Sequence, residues 1–368
     1  MNRKIERLRG FLKEGNEDRD RIDGYLLINM ESSDRSNQRF LTGFDSSLGC
    51  VVVLRDRTIF LTDSRYSDSA RRELGEAEFQ EIETRPLKTT AELVNDLGVN
   101  SVAIDQNDLS LATYNELKDE LEGPELIQVD GWLSEIRQVK ENEEIELHGE
   151  AAEIADQAFS YLIDFVEPGM TEREVALELE FFMRENGAED ISFSPIVASG
   201  EKSALPHAKP GDEEIKEDEL LLVDMGAKYR GYCSDLTRTL YFGDPSEKVR
   251  EVYRVVLEAQ QVGLENIEPG VGGREVHRKA SEVIEEAGYG ENFGHGLGHG
   301  VGLDVHEGPR LSETSGDTLK PGMVVTVEPG IYLAGWGGIR IEDMVRITED
   351  GCVPFSRAPK EEIINPIG

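Results

Sequence analysis

The stretch ELLLVDMGAKYRGYCSDLTRTLYF, residues 219–242, decides the reading of the fold. Two apolar, β-rich runs flank a short polar segment, the pattern of an antiparallel hairpin. Each run carries an aspartate where a buried strand should be apolar: Asp224 ends one and Asp235 opens the other. With KYRG (228–231) as the loop, Asp224 falls directly opposite Asp235, their Cβ atoms about 4.5–5.5 Å apart. Carboxylates so placed on a buried hairpin repel unless protonated or bridged by cations. In another register one of the pair points to solvent, and the hairpin by itself does not choose.

Two later runs add carboxylates in similar places. Glu328 ends MVVTVE (323–328), just before Pro329-Gly330 and thus at a strand terminus. In GIRIEDMVRI (338–347) strand alternation sets Arg340, Glu342 and Met344 on one face. A glutamate among β-branched residues, with an arginine two positions away, reads as a buried functional pair; an edge strand would expose that face instead.

The segment FGHGLGHGVGLDVHEGPR (293–310) holds three of the six histidines and a glycine at every even position from Gly294 to Gly302. A helix is disfavoured, because each interior glycine costs roughly 1 kcal/mol. An extended segment carries His295 and His299 on one face and bare backbone on the other, where metals, peptide or another chain can approach closely. His306 has the opposite parity and reaches the same site only if the segment bends. One of these histidines as a ligand, with the others handling protons, is the economical reading. Four carboxylates and one imidazole suit two divalent cations about 3.5–4 Å apart, which supply hydroxide to a carbonyl carbon. Carboxylate-rich ligation favours manganese, cobalt or iron(II) over a structural zinc site.

The rest of the chain frames this site. At 368 residues it suits two domains. Residues 1–137 alternate short strands with helical segments, an α/β domain; residues 138–368 place helices and antiparallel hairpins in separate blocks, an α+β domain. In the second domain Thr171 with Glu174 three residues on is a capping-box signature. No internal repeat is legible, and no phosphate loop appears. The net charge of −36 is spread along the chain, with 26 arginines to 13 lysines, a solvated acidic surface of the kind that works in high salt. Such a surface disfavours nucleic acid and anionic membrane as partners. Three widely spaced cysteines read as reduced residues of a cytoplasmic protein. No apolar run approaches the roughly 20 residues of a spanning helix.

With Asp224, Asp235, His299, Glu328 and Glu342 in this order, the chain resembles the pita-bread (creatinase/aminopeptidase) metallopeptidases. The resemblance extends to LVDMGAKYRGYCSDLTRTL, GHGLGHGVGLDVHEGP, VVTVEPGIYL, GGIRIEDMV and IVASGEKSALPHA (196–208). RFLTGFDSS (39–47), within a smaller creatinase-like N-terminal domain, is similar to the Xaa-Pro dipeptidase (prolidase) and aminopeptidase P branch; methionine aminopeptidases of this fold lack that domain. The resemblance implies a dinuclear metallopeptidase. Asp224 would hold one metal, His299 and Glu328 the other, with Asp235 and Glu342 bridging; manganese is foremost, with cobalt, iron(II) or zinc as alternatives. Glu328 would also handle the nucleophile's proton. His207 and His306 would stabilise the tetrahedral intermediate and scissile carbonyl, Arg310 would receive a substrate carboxylate, and Arg340 would orient the bridging carboxylates. His295 is left in a supporting place, and His148 and His277 read as surface residues. The implied activity is hydrolysis of Xaa-Pro dipeptides by a cytoplasmic homodimer. The alternatives are aminopeptidase P activity on longer peptides and, in another class, a non-catalytic pita-bread binding protein.

Overall fold

The computed structural model describes residues 3–16, 21–31, 35–75 and 77–367. The chain divides into two compact units, Met1–Arg137 and Gln138–Gly368. In the first, the apolar runs form β1 (Gly24–Asn29), β2 (Gly49–Leu54), β3 (Thr58–Asp63), β4 (Glu78–Ile82), β5 (Ser101–Asp105) and β6 (Glu125–Val129). They make one mixed sheet in the order β4-β3-β2-β1-β5-β6. Helices α1 (Arg3–Glu14), α2 (Ser36–Thr42), α3 (Ser67–Glu73), α4 (Pro86–Asp96), α5 (Leu111–Glu120) and α6 (Trp132–Gln138) alternate with these strands except between β2 and β3, which form a hairpin. The central strands β1 and β2 are buried throughout, which is why they read as continuous apolar runs rather than alternating ones. Gln38, fully buried, ties the RFLTGFDSS segment down: it accepts from Asn29 Nδ2 (2.8 Å) and donates to Ser46 Oγ (2.8 Å) and the Phe44 carbonyl (3.2 Å).

The second unit opens with α7 (Asn142–Phe165) and α8 (Glu172–Glu185). Helix α8 starts where its sequence dictates: Glu174 N donates to Thr171 Oγ1 (3.2 Å) while Thr171 N donates to Glu174 (2.8 Å). Then come β7 (Asp190–Ile191), β8 (Ile196–Ser199), β9 (Leu220–Met225), β10 (Ala227–Tyr229), β11 (Tyr232–Cys233) and β12 (Leu236–Tyr241). Leu162, Val175, Leu179, Leu221 and Val223 join this helix pair to the sheet in one apolar core. A second pair, α9 (Glu247–Glu265) and α10 (Gly273–Glu286), precedes β13 (Gly298–Gly300), β14 (Glu307–Leu311), β15 (Val324–Val327), β16 (Gly330–Leu333), β17 (Gly337–Arg340), β18 (Asp343–Thr348) and β19 (Gly351–Pro354). Helix pair followed by antiparallel strands thus occurs twice, a repeat of architecture that the sequence does not display.

Two details differ from the sequence reading. The hairpin turn is the two residues Arg230-Gly231, both at positive φ (47° and 90°), as a type I′ turn requires. That register sets Thr237, not Asp235, opposite Asp224. The slip is two residues, so side-chain parity survives and Asp235 becomes a diagonal neighbour of Asp224. Nor is GIRIEDMVRI one strand: β17 ends at Arg340, β18 begins at Asp343, and the two belong to different sheets. Glu342 lies in the break, its N–H donating to the Thr237 carbonyl (3.1 Å).

Candidate metal centre

The five expected ligands converge on one cavity of about 700 Å³. Its floor comes from β9, the start of β12, β13, the end of β15 and the β17–β18 break. His299 is fixed at both ends. Its N–H donates to Thr326 Oγ1 (3.1 Å), and its Nδ1 lies 3.0 Å from the Gly300 carbonyl oxygen. A carbonyl only accepts, so Nδ1 carries the proton and Nε2 presents a lone pair. That lone pair lies 3.3 Å from Glu328 Oε1 and 3.6 Å from Asp235 Oδ2. Burial, reinforced by the neighbouring His306, holds the imidazole's pKa down to about 3, so it is neutral. Ligand atoms of Asp235, His299 and Glu342 all lie within 4.8 Å of one another.

The electrostatics call for a cation. Burial pushes Asp235 and Glu342 well above the ordinary carboxylate range, and neighbouring carboxylates push them further. Burial likewise raises Asp224, and Glu328 to about 7, against the pull of Arg340. Arg340 balances only part of this negative charge. Asp224 Oδ2 accepts from Arg340 Nη2 (2.6 Å), while its Oδ1 is buried with no hydrogen-bond partner among the described residues. An orphaned carboxylate oxygen, a neutral imidazole lone pair and crowded carboxylates are a donor set that divalent ions fit.

Two residues absent from the sequence reading organise this set. Thr237 Oγ1 accepts from Arg340 Nε (3.1 Å) and donates to Glu342 Oε2 (2.6 Å), linking the guanidinium to the carboxylate. The Tyr332 hydroxyl accepts from Arg340 Nη1 (2.8 Å) and donates to His295 Nε2 (3.0 Å), whose Nδ1 donates to the Gly296 carbonyl (2.7 Å). Alternation from Asp235 along β12 singles out Thr237; nothing but its place in VEPGIYL marks Tyr332.

The other expected residues gather at the same cavity. The His306 ring centroid is 4.4 Å from that of His299. The bend that parity demands is present: the β13–β14 register shifts between His299 and Gly300, and Gly302 N–H donates to the Asp304 carbonyl (2.9 Å). Lys140 Nζ pins the turn by an ion pair with Glu307 (2.6 Å). Arg310 pairs with His299 across the ladder, and both it and His207 are exposed at the cavity. Phe193, Pro195 and Ile196 contribute an apolar wall.

Some readings need correction. A Cβ at Gly298 would sit 2.0 Å from the Thr326 carbonyl oxygen, and one at Gly300 equally close to that of Gly308. These glycines therefore make room chiefly for neighbouring backbone, not for metal or peptide. His148 is no surface residue: α7 buries it fully, and Nδ1 donates to the Cys233 carbonyl (2.8 Å). His277 is half-buried, its Nδ1 accepting from Leu297 N–H (3.2 Å).

Against known proteins, residues 146–349 match metallopeptidase family M24, and residues 4–139 match the creatinase/prolidase N-terminal domain. The chain is 36% identical to the Xaa-Pro dipeptidase of Pyrococcus horikoshii over 99% of each chain. The structure of the Xaa-Pro dipeptidase from Bacillus anthracis superposes with a TM-score of 0.92 at 41% identity, over 98% of this chain and 99% of that one. The X-Pro aminopeptidase from Thermotoga maritima gives 0.88 at 39% identity, over 93% and 97%.

Proposed function

The chain belongs to metallopeptidase family M24, and on that premise we propose that it hydrolyses the imide bond of dipeptides with C-terminal proline. The observation that carries the reading is the neutral His299 lone pair facing Asp235, Glu328 and Glu342 inside a substrate-sized cavity. In this proposal Asp224 would hold one divalent ion and His299 and Glu328 a second, with Asp235 and Glu342 shared between them. Manganese suits the carboxylate-rich set best. Such a pair supplies hydroxide at neutral pH and polarises a carbonyl.

The chain's own residues do the rest. Glu328, reaching into the cavity beside His299, takes and returns the nucleophile's proton. His207 and His306 donate to the oxygen on which charge develops, where preorganised donors count most. Arg310, paired in register with His299, receives the substrate's terminal carboxylate, which fixes the distance from that group to the scissile bond. Arg340 holds Asp224 directly and Glu342 through Thr237. We further propose that residues 1–137 and 138–368 act as separate domains, and that the active form is a cytoplasmic homodimer suited to high salt. No helix among the described residues is long and apolar enough to cross a membrane.

Removal of the first residue from longer Xaa-Pro peptides is the second reading, favoured by the likeness to the Thermotoga maritima enzyme. Turnover of a Met-Pro dipeptide against an Ala-Pro-Xaa tripeptide, with manganese in molar salt, separates the two. The dipeptide is expected to be the better substrate; preference for the tripeptide would install the second reading.

A further inference from the structure

His207 projects from a segment that runs from β8 through a 3₁₀ turn at Gly200–Ala204 to Gly211. Such a loop should be mobile, yet a donor that stabilises developing charge must be held in place. The first residue of α8 does the holding. Glu172 is fully buried, and its carboxylate accepts from both ends of the loop. Oε1 takes Ser199 N (2.9 Å) and Ser199 Oγ (3.0 Å); Oε2 takes Gly211 N (3.0 Å) and Lys202 Nζ (2.5 Å). Two backbone hydrogen bonds from the helix start add to this: Glu172 N donates to Glu213 O (3.1 Å) and Arg173 N to Gly211 O (3.0 Å). Between the anchors, Ser203 Oγ accepts from Gly338 N (2.8 Å), and Gly338 leaves no room for a Cβ against the Ser203 carbonyl. The Pro206 carbonyl, next to His207, accepts from Arg340 Nη1 (3.5 Å).

A buried carboxylate satisfied by four donors is costly to assemble and rigid once assembled. Here every donor lies within the loop that carries His207 or at its ends. A helix start needs no such arrangement, since Thr171 already caps α8. We infer that Glu172 is a positioning residue for His207, closing the 199–211 loop by its charge so that the imidazole faces the cavity. The inference rests on the proposed role of His207 in hydrolysis.

The test uses the full metal-loaded chain and two readouts. Hydrogen exchange of the 199–211 amides should accelerate by about tenfold or more in Glu172→Gln, while peptides covering β15 and β18 keep their protection. Lys202→Met should move the same amides in the same direction and guards against a folding failure of the first variant. On Met-Pro, Glu172→Gln should lower kcat by about 10- to 100-fold with a smaller change in KM. In the His207→Ala background the same substitution should cost little further. Unchanged exchange in the 199–211 amides overturns the clamp whatever the activity does. Equal fold-losses in the two backgrounds, or a His207→Ala enzyme as fast as the wild type, overturns action through His207. Failure of the wild type to cleave any Xaa-Pro peptide rejects the functional reading instead, with exchange still deciding the clamp.

Discussion

Thr237 stands between Arg340 and Glu342, accepting from the guanidinium at 3.1 Å and donating to the carboxylate at 2.6 Å. One hydroxyl thereby orients a proposed bridging ligand and takes up the Nε–H of a buried arginine whose other nitrogens donate to Asp224, Tyr332 and the Pro206 carbonyl. Thr237→Val keeps the shape and removes the hydroxyl, leaving Arg340 Nε and Glu342 Oε2 unpaired. Groups that orient metal ligands typically contribute about 10- to 100-fold to affinity or activity. Thr237→Val should therefore weaken manganese binding or turnover by that factor with little change in secondary structure. Wild-type metal affinity together with wild-type turnover would remove Thr237 from the account.

His148 predicts a pH dependence away from the metal centre. Burial and the nearby Lys140 hold its pKa down to about 3 from an ordinary 6.5. Between those values the unfolded chain binds the proton and the folded one does not, so stability rises with pH through that window and is lost as pH falls below about 6.5. The slope for one such group is about 1.4 kcal/mol per pH unit. In urea titrations the advantage of the wild type over His148→Leu should shrink as pH drops from 7 to 4.5. A constant difference across that range would mean that His148 does not stay neutral in the fold.

Gly298 predicts a packing effect. A Cβ there meets the Thr326 carbonyl oxygen at 2.0 Å and its hydroxyl at 2.8 Å, in backbone that cannot swing away. Gly298→Ala should destabilise the second unit by at least about 1–3 kcal/mol, the usual penalty of overpacking. Melting of the variant should fall by several degrees. An unchanged melting temperature would contradict the close approach of β13 and β15.

What was legible in the sequence follows from what charge and periodicity can signal. Asp224, Glu328 and Glu342 stood out because each interrupts an apolar run, and polar groups are not buried there without a reason. The helix starting after Thr171 was legible from its cap. The hairpin register was not, because a four-residue loop over KYRG and a two-residue I′ turn at Arg230-Gly231 both fit the sequence, and only the φ values of Arg230 and Gly231 separate them. Alternation puts Thr237 on the face of Asp235, but a neutral hydroxyl there, like that of Tyr332, does not announce its role until its partners are in space. His148 was misplaced because a charged helix surface hid the face that α7 buries. Within the glycine run, alternation gave an extended segment, which the structure restricts to Gly298–Gly300, and it did not give the partner that segment approaches.

The central claim is that the lone pair of His299 and the carboxylates around it are assembled for divalent metal in peptide hydrolysis. The most direct measurement is proline release from Met-Pro, in molar salt, by protein stripped with chelator and then titrated with manganese. The account predicts negligible turnover in the stripped protein, recovery as manganese is added, and saturation near two ions per chain, the count set by the five-ligand arrangement. Full turnover by the stripped protein, with no response to added metal, would contradict it.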